Sequence, residues 1–464
     1  MNLHTWTAVI VYAIMCSAAG LNILTLFRIK KHRLTHNWAF CYLSGQLVVL
    51  LLTLLTAFLP FGIYGARLFL ILFAFIGIAL HTFRRPAGTA EFLATGFAAV
   101  LVSGLMFPDV WLATQYAPLV TWDARSYWFF HGKVIMAQGE IGPSFFGNPV
   151  YAWAHCDYPV FLASQAAWVS SFAGEWDDIV CKAFLWINFA AYIDIFRRLL
   201  QDRLNRWWFW IPAALFMFDR ETYSYVSGIA DPHYAMPLVL MLYGACPGKG
   251  KTPLVFTAVM TAFAANVKNE GAVYAGLAIA AAAAIVTVRK TRKTETRILL
   301  TARRARQLAP GFLLGIVPWC LWLTYRIANG IKERDRVIEK IFDLRALVSN
   351  LPGRLRPIAE YFAENYAVRR APLFAAIIIL LMLIRRLSGR RSGASPETAG
   401  HLPGLWIVFA AVNLCVFLPY TVTPLDLSYH LGTSAGRLLM FPFLVLALIL
   451  IENVRITISP PEGR

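Results

Sequence analysis

Five short stretches of this 464-residue chain collect acids, bases and aromatic residues between long apolar runs. The first is WDARSYWFFHGK, residues 122–133, which contains Asp123, Arg125 and Lys133. A carboxylate at a membrane boundary has the chemistry of a general base, and basic side chains beside it have that of phosphate ligands. Two simpler roles compete, since Asp123 can cap the following helix and the basic side chains can extend to the polar interface. Taken alone, the position favours the cap.

Two further stretches place histidine beside aspartate. HCDYP begins at His155 and contains Asp157 and Tyr158, and ADPHY holds Asp231 and His233 where an apolar run begins. Histidine and aspartate can bind a metal, but two ligands do not make a site, and a polar turn closed by proline also explains the first pair. Ionisable residues at the depth of the second pair usually line a polar cavity, although Asp231 can also cap a helix.

The last two stretches carry cations. VKNEG joins two apolar runs through Lys268 and Glu270, and DLSYHLGTSAGR contains Asp426, His430 and Arg437. Lys268 and Glu270 can neutralise each other within the turn, but an ammonium at a membrane interface is also a ligand for phosphate. Arg437 enters the final apolar run without an obvious acid close to it in sequence, and a guanidinium suits bidentate binding of phosphate.

The composition predicts the elements that must hold these stretches. The chain is 58% hydrophobic and only 15% charged, with a mean hydropathy of +0.58. A soluble domain of this length cannot bury so much apolar surface, so we expect an all-α polytopic membrane protein. The first apolar run lacks a small-residue cleavage site, which favours a retained helix over a signal peptide. Seven cysteines without a CxxC pair support neither a zinc site nor a disulfide framework.

From the length and hydropathy of the apolar runs, we expect about thirteen transmembrane helices. They lie near residues 7–27, 38–59, 64–81, 88–107, 176–196, 207–219, 233–246, 252–267, 271–288, 308–329, 371–385, 404–422 and 434–451. Every odd-numbered span is followed by a cluster of lysine and arginine, as is typical of cytoplasmic loops. This pattern predicts an extracytoplasmic amino terminus, a cytoplasmic carboxyl terminus and polar stretches that lie outside the cytoplasm.

The net charge of +18 does not indicate a nucleic-acid partner, because the basic residues are spread in short clusters between the spans. One loop, residues 330–370, departs from the charge rule with nine basic residues against six acids. Within it, Val337, Ile341, Leu344 and Leu347 recur at helical spacing and predict a helix on the outer surface. Its charges can bind anionic lipid or a ligand phosphate, or can pair with each other in water. The absence of a phosphate-binding loop motif argues against cytoplasmic nucleotide hydrolysis.

Taken in order, WDARSYWFFHGK, HCDYPVF, SGIADPHYA, VKNEG and DLSYHLGTSAGR resemble the successive motifs of bacterial membrane glycosyltransferases of the C superfamily. The resemblance covers residues 88–451 and is strongest to the group containing protein mannosyltransferases, lipid A aminoarabinose transferases and lipid A-core galacturonosyltransferases. It implies a helical bundle that takes a sugar from a polyprenyl-phosphate carrier. The sugar would be transferred, with inversion, to a hydroxyl of a glycolipid, polysaccharide or lipopolysaccharide on the extracytoplasmic side.

The resemblance also implies roles for individual residues. Asp123 falls on the proposed general base, and Lys268, Arg437 and Lys133 are the candidate ligands of the donor phosphate. The other polar residues of the motifs would bind substrate or support these groups: Arg125, His155, Asp157, Tyr158, Asp231, His233, Glu270, Asp426 and His430. No cofactor is required and no metal ligand is assigned. Many members carry two adjacent acids where Asp123 is followed by Ala124, so dependence on a divalent cation is left open.

Family members usually reach the first external loop after one span, whereas four precede it here. We therefore expect residues 1–87 to be additional N-terminal transmembrane helices. Residues 88–330 would form the catalytic transmembrane core with the external loop 108–175. Residues 331–370 would form an external amphipathic loop, and residues 371–464 the C-terminal transmembrane helices.

The expected partners are a polyprenyl-phosphate sugar donor, a glycan or lipid acceptor and membrane lipids. The expected location is a bacterial inner membrane, with the site facing the periplasm. A different class of protein fits many of the same residues, because a carrier or flippase for a lipid-linked sugar also needs cations at the outer leaflet and polar residues inside the membrane. Such a carrier would not need Asp123 as a base.

Overall fold

The structure is a computed structural model. It describes residues 3–29, 32, 34–84, 86–201, 220–246, 253–290, 307–332, 343–369, 371–387 and 401–458. Helices dominate these residues and no β-strand occurs among them, so the predicted all-α fold is confirmed for this part of the chain. The predicted span at 207–219 lies outside the described residues, as do Val337 and Ile341 of the predicted surface helix.

The longer helices are labelled in chain order. They are α1 (Leu3–Leu26), α2 (Trp38–Leu55), α3 (Gly62–Arg84), α4 (Pro86–Met106), α5 (Pro108–Tyr116), α6 (Phe129–Gln138), α7 (Phe161–Ala173), α8 (Ala183–Gln201), α9 (Asp231–Ala245), α10 (Leu254–Val267), α11 (Asn269–Lys290), α12 (Val317–Ala328), α13 (Leu344–Val368), α14 (Ala371–Leu387), α15 (Leu402–Val422) and α16 (Met440–Ile458).

Among the described residues, six helices are long and apolar enough to cross a membrane, or up to eight if each of two bent helix pairs counts as one span. One bent pair is α4 with α5, whose axes differ by 102°. Pro108 begins α5, and proline cannot donate the backbone hydrogen bond that would continue α4. The helices α9 and α10 have only 15 and 14 residues, short of the roughly 20 that a full crossing needs. Thirteen spans therefore stay a prediction.

Glycines bring the first two helices into backbone contact. A Cβ atom on Gly20 would overlap the carbonyl oxygen of Cys41, and one on Gly45 would overlap that of Cys16. Small residues let transmembrane helices approach closely, and the resulting van der Waals contact stabilises their packing where lipid gives no hydrophobic drive. The two glycines thus fix the crossing of α1 and α2.

The N-terminal helices also hold α7, which lies within the predicted external loop 108–175. The Trp168 indole N–H donates to Thr53 Oγ1 at 2.8 Å, and the Gln165 amide donates to the Gln46 carbonyl at 3.1 Å. The Tyr12 hydroxyl of α1 donates to the other end of the Gln165 amide. Such buried hydrogen bonds between helices specify a unique packing when their members are satisfied. The helices expected as an addition are therefore packed into the same core as the helices that carry the motifs.

We expect Gly45→Ala to destabilise the protein, because the new methyl group would overlap the Cys16 carbonyl and force α1 and α2 apart. The control is Gly276→Ala on α11, where an added Cβ meets nothing within 4 Å. Thermal unfolding in detergent should give a Tm several degrees lower for Gly45→Ala. Gly276→Ala should leave the Tm unchanged or higher, since alanine favours a helix over glycine by about 0.5–1 kcal/mol. Equal Tm values for the two variants would contradict the close crossing.

Candidate functional site

Five charged side chains from four of the five polar stretches meet in one network. Lys268 Nζ lies 3.2 Å from Asp231 Oδ1 and 3.2 Å from Glu270 Oε1. Arg437 Nη1 pairs with Asp123 Oδ2, although the two residues are 314 positions apart in the chain, and lies 3.9 Å from Asp231 Oδ2. Asp231 therefore joins the lysine half of the network to the arginine half. We call these five residues the charge network.

Asp123 and Arg437, which we call the outer pair, each adjoin a π-helical turn. Ala124–Trp128 is such a turn directly after Asp123, and Leu431–Ala435 is another directly before the turn that carries Arg437. Turns of this kind are rare and occur frequently at functional sites. The helix cap that the sequence favoured for Asp123 is wrong, because its side chain makes no capping hydrogen bond and its carboxylate accepts from Arg437 instead.

Asp231 and Lys268, which we call the inner pair, are positioned by helix ends. Asp231 is the first residue of α9, where the partial positive charge of the helix favours a carboxylate. Its side chain makes no cap and accepts instead from Tyr234 Oη at 3.2 Å. Lys268 has an extended backbone between α10 and α11. The Asn266 side chain fixes that end of α10 by donating to the Gly315 carbonyl at 3.1 Å.

The depth of the side chains divides the network. The side chains of Asp231 and Lys268 are 2% and 9% exposed, whereas those of Arg437 and Asp123 are 21% and 23% exposed. A buried ion pair is held more strongly than a solvated one, because water screens the second. Asp231 and Lys268 are thus the more deeply buried part of the site, and Asp123 and Arg437 are the more accessible part.

Burial opposes the charged forms of both inner residues, yet each is held charged by its neighbours. Lys268 and Arg437 keep the pKa of Asp231 below its ordinary value, and Asp231 and Glu270 keep the pKa of Lys268 above its ordinary value. A lowered carboxyl pKa contributes stability that is lost on acidification, and a raised lysine pKa contributes stability that is lost at alkaline pH. Both contributions to the stability of the fold are therefore fully present between about pH 4 and pH 10.

Arg354 of α13 and Arg369, which directly follows α13, hold the segment that precedes Arg437. Arg354 donates to the carbonyls of Tyr420 and Thr423 at 3.1 and 3.0 Å, where α15 ends. Arg369 donates to the carbonyl of Gly436 at 2.6 Å, one residue before Arg437. The surface helix predicted from Val337, Ile341, Leu344 and Leu347 lies partly outside the described residues, and α13 begins only at Leu344. The sequence did not predict these contacts of the two arginines, because the carbonyls that they bind are more than 60 positions away.

The HCDYP stretch lies beside the exposed half of the network. His155 Nδ1 is 3.6 Å from Asp157 Oδ1, and the His155 ring stacks on Tyr158 with centroids 5.0 Å apart. His155 has a left-handed backbone conformation with φ +51°, which few residues other than glycine adopt outside sites that need it. Tyr158 lies within electrostatic range of Arg437. The stretch therefore adds aromatic surface next to the outer pair.

Two other predicted site residues have structural roles. His233 is fully buried, with Nδ1 3.3 Å from the Tyr192 hydroxyl and Nε2 3.1 Å from the Tyr225 carbonyl. Asp426 caps the short helix that follows it by accepting from the Tyr429 backbone N–H at 2.9 Å. Both side chains thus make these hydrogen bonds to groups outside the charge network.

The remaining predicted residues lie apart from the charge network. His430 Nδ1 is 2.8 Å from Thr423 Oγ1, in the turn that precedes Arg437. Arg125 and Lys133 are exposed, and among the described residues neither forms an ion pair with the charge network. Binding of the donor phosphate by Lys133 therefore stays a prediction.

No group of three or more histidine, cysteine, aspartate or glutamate side chains in the described part of the chain is arranged to hold a metal ion. No known family, curated protein or solved structure matches this chain. The charge network itself combines carboxylates that can accept a proton with cations that can bind an anion.

Asp231 and Lys268 should be energetically coupled. Lys268→Gln removes one partner of a buried carboxylate, so we expect the free energy of unfolding to fall by about 3–5 kcal/mol. Adding Asp231→Asn should recover part of that loss, because no buried carboxylate then lacks its lysine. A double-mutant cycle from unfolding in detergent should give a coupling of about 0.5–3 kcal/mol.

The control cycle uses Arg356 and Glu360, an ion pair of 2.7 Å on the surface of α13. Its partners are 87% and 60% exposed, so water screens them and the cycle should show no measurable coupling. Additive losses for Asp231 and Lys268, like those of the control, would contradict a strong inner pair.

Proposed function

We propose that this protein is a membrane glycosyltransferase that moves a sugar from a polyprenyl-phosphate donor to an acceptor hydroxyl on the extracytoplasmic side. The observation that carries the proposal is the pairing of Asp123 with Arg437 at the accessible end of a buried charge network. This pairing joins a group that can take a proton to a group that can bind a phosphate. The resemblance of the five stretches to glycosyltransferases of the C superfamily supports the same reaction.

The reaction requires both groups at one place. The acceptor oxygen attacks the anomeric carbon while its proton passes to the Asp123 carboxylate. The bond between the anomeric carbon and the phosphate oxygen breaks, and its electron pair leaves with the lipid phosphate. A single displacement of this kind inverts the anomeric centre. The phosphate goes from one negative charge towards two, so Arg437 and Lys268 stabilise the transition state more than the bound donor.

The charge of the network sets how the donor binds. Three carboxylates face two cations, so the charge network is already negative before a donor phosphate enters. The phosphate must therefore take a cation from a carboxylate. Arg437 is the more accessible cation, and the carboxylate closest to it is Asp123. A carboxylate released from a guanidinium is the better proton acceptor, so donor binding would also free the base.

The proposal includes a topology. We place the charge network outside the cytoplasm of a bacterial inner membrane, in a bundle of about thirteen spans with an extracytoplasmic amino terminus, on the basis of the alternating basic clusters. An activated donor delivered through the membrane suits this side, where nucleotide triphosphates are scarce.

Cysteine labelling tests the orientation. Arg125 and Gln201 are both exposed and fall on opposite sides of the proposed membrane. In a Cys320→Ser background, which removes an exposed native thiol, Arg125→Cys should react with an impermeant thiol reagent in intact cells. Gln201→Cys should react only after the cells are opened. The reverse pattern would move the charge network to the cytoplasm and refute the topology.

Replacing the proposed base should separate chemistry from binding. Asp123→Asn removes the proton acceptor, so we expect the rate of single-turnover sugar transfer to fall by about 10²–10⁴-fold. The same change removes the carboxylate that competes for Arg437, so undecaprenyl phosphate should bind more tightly than to the wild type. The measurements are transfer in proteoliposomes and titration of the lipid phosphate into nanodiscs.

The matched control is Asp109→Asn, which makes the same change at an exposed acid on α5 and should alter neither quantity. Near wild-type transfer by Asp123→Asn would exclude Asp123 as the base. A weaker rather than tighter binding of the phosphate would contradict its competition for Arg437.

Arg437 separates a transferase from a carrier. Because a catalytic cation stabilises the leaving phosphate, Arg437→Gln should slow single-turnover transfer at saturating donor by about 10²–10³-fold as well as weaken binding. Arg437→Lys should restore the activity only in part, since an ammonium lacks the planar fork of a guanidinium. A loss confined to binding, with unchanged transfer at saturation, would favour a role in holding lipid.

A further inference from the structure

Glu270 uses only half of its carboxylate within the protein. Its Oε1 atom pairs with Lys268 Nζ at 3.2 Å. Its Oε2 atom is buried and has no hydrogen-bond partner among the described residues, although 37% of the whole side chain is exposed. A self-satisfied lysine–glutamate turn, one of the two roles that the sequence allowed, would not leave this oxygen without a donor.

The surroundings of Glu270 keep the oxygen in need of a donor. Glu270 lies in the first turn of α11, and its Oε1 atom is already paired with Lys268. The Tyr234 hydroxyl has a single proton, which it donates to Asp231. A buried charged acceptor without a donor is costly in a folded protein, and exceptions of this kind call for an explanation.

The oxygen lies where a donor sugar would be. In the proposed reaction the phosphate bridges Lys268 and Arg437, and the sugar is joined directly to that phosphate. Glu270 contacts Lys268, so its Oε2 atom would lie close to a sugar attached to a phosphate bound at Lys268. The substituent on C2, the carbon next to the anomeric centre, is the ring hydroxyl closest to the bond that breaks. Hydrogen bonds to this hydroxyl strengthen as positive charge develops on the ring.

We propose that Glu270 Oε2 accepts a hydrogen bond from the C2 hydroxyl of the sugar being transferred, and that Glu270 thereby determines donor specificity. This inference rests on the proposed function, because it needs the donor phosphate at Lys268. Glu270 then has two roles on two atoms. Its Oε1 atom orients Lys268 towards the phosphate, and its Oε2 atom selects the sugar.

The test compares ligands that differ only in the sugar. Undecaprenyl phosphate alone and undecaprenyl phosphate carrying glucose, galactose or mannose are titrated into nanodisc-embedded protein. The tightest-binding sugar is then compared with its 2-deoxy counterpart. In the wild type the C2 hydroxyl should improve affinity by about 10- to 100-fold, as expected for a hydrogen bond to a charged group. In Glu270→Gln this preference should fall to about 3-fold or less, because a neutral amide oxygen is the weaker acceptor.

The bare lipid phosphate separates this inference from the proposed function. Glu270→Gln should bind undecaprenyl phosphate at least as tightly as the wild type, since Lys268 loses a competing charge, and this binding also shows that the variant is folded. Glu364→Gln, the same change at an exposed residue of α13, should behave as the wild type with every ligand. A wild-type preference that Glu270→Gln retains, or no preference for the C2 hydroxyl in the wild type, would overturn the role of Glu270 alone. Failure of the wild type to bind the bare phosphate would instead refute the proposed function.

Discussion

The buried ion pair of Asp231 and Lys268 is the interaction on which the arrangement of the site depends. Each charge is costly to bury without the other, because an ion that leaves water needs a partner of opposite charge to compensate for its lost hydration. The pair therefore forces the start of α9 to meet the turn between α10 and α11. Asp231 also lies near Arg437, so the same carboxylate brings in the turn that precedes α16.

A purely structural network would explain the inner pair but not the outer one. Asp123 and Arg437 are each more than a fifth exposed, and exposed pairs contribute little to stability. Even so, two π-helical turns flank them, and Arg369, directly after α13, binds the carbonyl beside Arg437. This much local structure around a weak pair is what the proposed reaction would require. In the pair of Asp123 and Arg437, a negative ligand could also replace Asp123 on Arg437 with little movement of either side chain.

The sequence predicts the helices of this fold well, because long apolar runs have few alternatives to a helix in a membrane. It also identifies Lys268 and Arg437 as candidate phosphate ligands, since the chemistry of a side chain follows from its residue type alone. It does not predict that Arg437 pairs with Asp123, because no local rule joins residues 314 positions apart. The cap favoured for Asp123 failed for this reason: its distant partner offers a stronger, charge-assisted bond than a backbone N–H does.

The roles of other polar residues also depend on the fold. His233 and Asp426 were expected to support the site, and the structure shows only that His233 bonds within the core and that Asp426 caps a short helix. Arg354 and Arg369 lacked any individual role in the sequence, yet they bind carbonyls of the segment that precedes Arg437. Residue type indicates which interactions a side chain can form, and only the fold determines which neighbour it binds.

In the proposed reaction a donor phosphate takes Arg437 from Asp123. This exchange would be visible in a structure of the protein with undecaprenyl phosphate bound. We expect phosphate oxygens within hydrogen-bonding distance of both Lys268 and Arg437, with the Asp123 carboxylate released towards the exposed side of the charge network. A phosphate bound elsewhere, with the pair between Asp123 and Arg437 intact, would contradict it.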